Sequence, residues 1–180
     1  GKAKKLLVLV LTLSLVATFI APLPVVRGQD EPPEEVWVDD DWQKSSTGAT
    51  VAIGAVTATI GENAFSKIQD AIVAVATTGT VYINTGTYVE DIVINKTVNL
   101  IGLADGDGAK PVITGSSLPT SPTDRQATLK ITGKASSNNT YLKNLAFKVP
   151  ADLKDYLISQ KGLYKGLYYY SILIDQGISN

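Results

Sequence analysis

The 180-residue chain has no cysteine, no histidine and no methionine. The absence of cysteine excludes disulfides, so an exported form must rely on its packed core alone. Losing both cysteine and histidine removes the common zinc ligand sets, thiol catalysis and the imidazole-assisted nucleophiles. Only carboxylates, lysine, arginine and tyrosine remain to carry chemistry. The missing methionine extends to position 1, so the sequence reads as a record that omits the true start, or as a fragment. Charge is sparse as well: 16 basic and 17 acidic residues make up 18% of the chain, against 44% hydrophobic residues. That composition suits one globular domain with a core.

Lys2, Lys4 and Lys5 precede an uncharged run from Leu6 to Val26, after which Arg27 leads into acidic sequence. A cleaved signal peptide and a retained membrane anchor compete for this segment. Pro22 and Pro24 cut the run short of the ~20 apolar residues that a spanning helix needs. A signal peptide over residues 1–28 is therefore expected, with Val26 and Gly28 at the −3 and −1 positions of the cut. The expected location is secreted or cell surface, with membrane contact only through an uncleaved N-terminus. Cleavage would remove four basic residues and no acidic ones, leaving a net charge of −5. Nucleic acid is then not expected as a partner.

Residues 29–42 read as an acidic linker and lead-in strand, with Glu31, Glu34, Glu35, Asp39, Asp40 and Asp41 around Pro32 and Pro33. The three consecutive aspartates offer hard oxygen ligands to Ca²⁺, but neighbouring strand residues alternate faces and cannot all converge. A solvated spacer is the preferred reading.

The segment from Phe65 to Gly102 is the most patterned. Phe65, Ile68, Ile72 and Val75 form one helical stripe, with Asn63 as the expected N-cap and Gly79 as the stop. Short runs rich in β-branched and aromatic residues follow: 81–83, 92–94, 98–101, 112–114, 128–132 and 141–147. With no helices between them, they fit either a stack of rungs or a β-sandwich, and periodicity alone does not choose.

The runs FSKIQDAI from Phe65, GTVYI from Gly79, GTYVE from Gly86, IVINK from Ile92 and LIG from Leu100 resemble the N-terminal signature of the pectin-lyase-like superfamily. Val36–Trp42 is similar to the lead-in strand of its secreted members, so the resemblance covers roughly residues 36–149. It implies an all-β fold, a right-handed parallel β-helix of about three coils with an N-terminal capping α-helix, spanning residues 43–149. Residues 150–180 would be an atypical C-terminal tail. The resemblance is specific for fold and silent on activity, because that scaffold carries esterases, lyases, hydrolases and non-catalytic adhesins.

No catalytic, cofactor-binding or metal-binding residue is assigned from the sequence, and whether the chain is an enzyme is left undecided. Glu90 and Asp91 are the nearest approach to an acid/base pair, but adjacent strand residues face opposite ways. Asp105-Gly106-Asp107-Gly108 resembles half of a calcium loop and reads more simply as a turn. Residues 115–126 read as a polar surface loop. Asn95 and Asn138 head glycosylation sequons, although asparagines such as Asn95, Asn99 and Asn144 also suit tight corners. Tyr164, Tyr168, Tyr169 and Tyr170 read either as a sugar-stacking platform or, preferably, as part of a terminal strand or plug.

The function expected from these readings is an exported, non-catalytic β-helix module that is carbohydrate-associated or adhesive, with a polysaccharide or cell-surface glycan as partner. The alternative is the N-terminal fragment of a pectinesterase- or polysaccharide-lyase-type enzyme whose active site lies beyond residue 180. Self-association through the open solenoid end is a third expectation.

Overall fold

The computed structural model describes residues 31–120, 125–133, 139–153, 155 and 168–175. The expected signal segment and the Asn138 sequon lie outside them, as do Tyr164 and most of the helix expected at 151–160. Among the described residues no helix is long and apolar enough to cross a membrane.

Short β-branched runs, closed by glycine, asparagine and threonine, dictate short strands. They are β1 (Glu35–Val38), β2 (Thr50–Ile53), β3 (Val56–Thr59), β4 (Ala64–Phe65), β5 (Thr80–Ile83), β6 (Thr87–Val89) and β7 (Ile92–Ile94). Then come β8 (Asn99–Gly102), β9 (Val112–Thr114), β10 (Arg125–Thr132), β11 (Tyr141–Lys143), β12 (Ala146–Lys148) and β13 (Tyr168–Asp175). A 3-10 turn spans Asp40–Lys44, and the helix α1 spans Ile68–Ala74.

These strands form a five-stranded parallel sheet ordered β11-β8-β5-β1-β4, two three-stranded parallel sheets ordered β13-β10-β7 and β12-β9-β6, and the antiparallel pair β2-β3. The expected all-β, right-handed parallel β-helix of about three coils is corrected by this arrangement of several short parallel sheets, one antiparallel pair and helical segments. One physical source of the difference is the stretch between residues 45 and 63, which pairs with itself. Gly54 turns with φ 60, Ile53 pairs with Val56, and β4 then joins β1 on the side away from β5. The five-stranded sheet therefore does not follow chain order.

The helix also differs from its sequence reading. Ile68, Ile72 and Val75 are fully buried as the stripe requires, but Phe65 belongs to β4 and the N-cap is Lys67 rather than Asn63. The Asn63 side chain accepts a hydrogen bond from the Thr59 backbone instead, at 2.7 Å. The helix ends at Val75, before Gly79. Residues expected as one strand over 141–147 split into β11 and β12 because Asn144 takes a left-handed conformation, φ 53.

Burial alternates along the five-stranded sheet. Val36, Val38, Val81, Ile83 and Leu100 point inward and join Ile68, Ile72, Ile92, Ile94, Ile113 and Leu129 in one core. A smaller cluster of Ala58, Ile60 and Ala64 lies under Trp37, Trp42 and the β2-β3 pair.

Candidate functional site

Two features of the surface collect chemistry-bearing side chains. The first is a half-open cleft of about 320 Å³ between the 3-10 turn, the start of α1 and β6, lined by Asp40, Gln43, Ser66, Lys67, Thr87, Tyr88, Val89 and Glu90. The Asp40, Tyr88 and Glu90 side chains in it are held by hydrogen bonds within the fold. Glu90 spans the N-terminus of α1, accepting from the backbone N–H of Ile68 at 2.9 Å and of Gln69 at 3.0 Å. A carboxylate there satisfies two N–H groups that no helical turn can reach and faces the positive end of the helix dipole. Asp40 accepts from the Thr87 backbone N–H at 3.0 Å, and a side chain at Gly86 would collide with its carboxylate. Asp39 accepts from the Asp41 backbone at 3.0 Å and from the Asn84 side chain at 2.7 Å.

The Tyr88 hydroxyl donates to the Asn84 carbonyl at 2.9 Å, with the Val38 carbonyl at 3.4 Å. Burial, followed by the charges of Asp40 and Asp39, pushes its pKa far above the ordinary phenol range. It stays protonated and cannot serve as a base at neutral pH. Across α1, the Lys96 ammonium donates to the carbonyls of Val73, at 3.1 Å, and Val75, closing the helix's other end, while burial lowers its pKa.

Replacing Glu90 by glutamine keeps the shape of this cap and removes its charge. A loss of about 1 kcal/mol is expected, read as a lower thermal midpoint and faster amide exchange at Ile68 and Gln69. Unchanged exchange at those two amides would contradict the capping role.

The second feature is the outward face of the five-stranded sheet. Register places Glu35, Thr80, Asn99 and Tyr141 in one row, and Trp37, Tyr82, Ile101 and Lys143 in the next. Trp37 and Tyr82 stack with ring centroids 5.7 Å apart and an interplanar angle of 21°. The Tyr82 hydroxyl donates to Glu35 at 3.2 Å, and burial, together with the Glu35 charge, raises its pKa. Tyr141 is 53% exposed. With strands about 4.8 Å apart, four strands make a platform about 14 Å long.

Asp39, Asp40 and Asp41 do bring carboxylate oxygens within 4.8 Å of one another, contrary to the expectation drawn from strand alternation. The reason is local: Asp40 and Asp41 lie in the 3-10 turn, not in a strand. Glu90 and Asp91 diverge as expected, Glu90 to the helix and Asp91 to the Ser116 N–H at 2.9 Å and hydroxyl at 2.8 Å. Asp105 closes a turn by accepting from the N–H groups of Asp107, at 3.0 Å, and Ala109, at 2.8 Å. Asn95 is exposed. The capping by Glu90 links residues more than twenty positions apart and left no local signal in the sequence. The outward rows were legible only as alternating residues, because their alignment depends on register between strands.

Burial pushes the Asp91 pKa up, but hydrogen bonds from Ser117 and Ser116 outweigh it, and the net shift is downward. A carboxylate with a depressed folded pKa stabilises the fold above its unfolded pKa of ~3.9, and this contribution is lost as pH falls through the folded value. Wild type is therefore expected to lose more stability than Asp91→Asn on acidification below about pH 4. Parallel urea midpoints for the two proteins down that range would contradict it.

The chain matches no family model, no curated protein and no solved structure.

Proposed function

We propose that this chain is an exported, non-catalytic module that works outside the cell or at its surface by associating with carbohydrate. The observation that supports this reading is the outward face of the five-stranded sheet, where the stacked Trp37 and Tyr82 rings lie beside Thr80, Asn99 and Tyr141. Aromatic faces cover the apolar faces of sugar rings, and amide and hydroxyl groups at strand spacing reach the sugar hydroxyls. The side chains are held in place by a rigid sheet, which limits the ordering cost of binding. An extended, neutral polysaccharide lying across the strands is the partner that fits this mixture. The non-catalytic part of the reading rests on Glu90, Asp40 and Asp39, whose oxygens are engaged with backbone and side-chain donors.

Affinity electrophoresis through gels carrying neutral or acidic polysaccharides tests this directly. Retardation by a neutral polysaccharide is expected, with Tyr141→Ala weakening it about tenfold while leaving the melting temperature unchanged, because Tyr141 is largely exposed. Unretarded migration in every gel, or sugar-chain cleavage abolished by Glu90→Gln, would contradict it.

A further inference from the structure

We propose that a second copy of this chain adds its β13 antiparallel to the edge of β13 that no described strand covers, giving a two-fold dimer whose axis passes beside Ser171. This does not rest on the carbohydrate reading. A sheet edge carries unpaired N–H and C=O groups that template pairing with another chain, and folded proteins guard such edges. Most edges in this fold are guarded. On β7, the Gln69 carboxamide imitates a neighbouring strand, accepting from the Val93 N–H at 2.8 Å and donating to the Val93 carbonyl at 3.3 Å. On β6, Asp40 occupies the Thr87 N–H. β4 is two residues long and lies against α1. β11 and β12 are three residues long and end in the exposed lysines Lys143 and Lys148.

Among the described residues, β13 shows none of these devices. It is eight residues long, pairs on one side with β10, and is the outer strand of its sheet among the described residues. No charge, proline or glycine occurs from Tyr168 to Ile174. Ile172 is 42% exposed and Ser171 is exposed. Its sequence is also complementary to itself in reverse, with aromatics at 168–170 and aliphatics at 172–174. Antiparallel pairing about the stated axis sets Ser171 opposite Ser171 of the second copy and Tyr170 opposite its Ile172, residues that share one face of the sheet. Aromatic and aliphatic residues facing each other across strands are favourable pairs. The pattern therefore selects a second, antiparallel copy.

The test is sedimentation equilibrium of the full chain, where a closed monomer–dimer equilibrium is expected. Ser171→Lys and Ser171→Asp each set like charges opposite one another across the axis and should each weaken the dimer about tenfold or more. An equimolar mixture of the two variants should recover a heterodimer, since the introduced ammonium of one copy would stand opposite the introduced carboxylate of the other. A wild type that is monomeric at every concentration, open-ended growth of larger species, or a dimer unaffected by either substitution would overturn the proposal. If the variants fail to fold, wild-type hydrogen exchange decides. Amide protection within 171–173 rising with protein concentration supports the dimer, and protection independent of concentration refutes it.

Discussion

Leu100→Ala is expected to lower the stability of the fold by about 2–5 kcal/mol. Leu100 is fully buried on β8, with Val81 of β5 on one side in register and Leu142 of β11 on the other. Truncation removes its transfer free energy and leaves a cavity that strands held on both sides cannot close. Against a typical total of about 5–15 kcal/mol for a domain, such a loss depopulates the folded state measurably. Ile101, the next residue, lies on the outward face and is only partly buried. Its replacement by alanine is expected to cost no more than about 1 kcal/mol. Urea unfolding of the two variants checks the difference, and equal midpoints would mean that the inward and outward faces have been assigned wrongly.

Gly102→Ala is the second substitution with a large expected effect, and its cause is the opposite of a cavity. A Cβ at Gly102 would collide with the backbone carbonyl of Asn144 and stand 2.8 Å from the Pro111 ring. Neither obstacle can rotate away as the end of a flexible side chain could. The Asn144 corner, at φ 53, is where the chain passes from β11 to β12. Displacing it pulls β11 away from β8 and β12 away from β9. A loss of about 1–3 kcal/mol is expected, with faster amide exchange concentrated in residues 141–148. Gly106→Ala is the matched control, since nothing lies within 4 Å of a Cβ there. Equal stability for the two variants would show that the close approach of Asn144 to Gly102 is not real.

Strand content was largely legible because β-branched runs between turn residues report a local preference. Val112–Thr114 and Ile92–Ile94 appear as strands where the sequence placed them, and the buried stripe of Ile68, Ile72 and Val75 follows from helical spacing. What failed was the step from strands to fold. Nothing local announces that β4 will sit beyond β1, or that the turn at Gly54 will make residues 50–59 pair with themselves. The resemblance to the pectin-lyase-like superfamily supplied a continuous coil that these particular residues do not build. The helix start was misplaced for a related reason. Its cap is the distant Glu90, whereas Asn63, the local candidate, satisfies Thr59.

The candidate site was legible in part. Glu90 and Asp91 face apart as expected, but in the link between β6 and β7 rather than by alternation within a strand, and Asp105 lies at a turn as read. Asp39, Asp40 and Asp41 were not, since a 3-10 turn gathers carboxylates that an extended strand would separate. The Trp37–Tyr82 stack joins residues 45 positions apart in sequence and exists only through the β1–β5 register.

The proposed function therefore places its partner on the outward face of the five-stranded sheet, away from the carboxylate-lined cleft. The measurement that tests this most directly is an NMR titration of the full chain with soluble neutral oligosaccharides of increasing length. The account expects saturable shifts at the Trp37 indole, Tyr82, Asn99 and Tyr141, growing with oligosaccharide length until the face is spanned. Shifts confined to Asp40, Lys67, Tyr88 and Glu90, or none with any oligosaccharide, would contradict it.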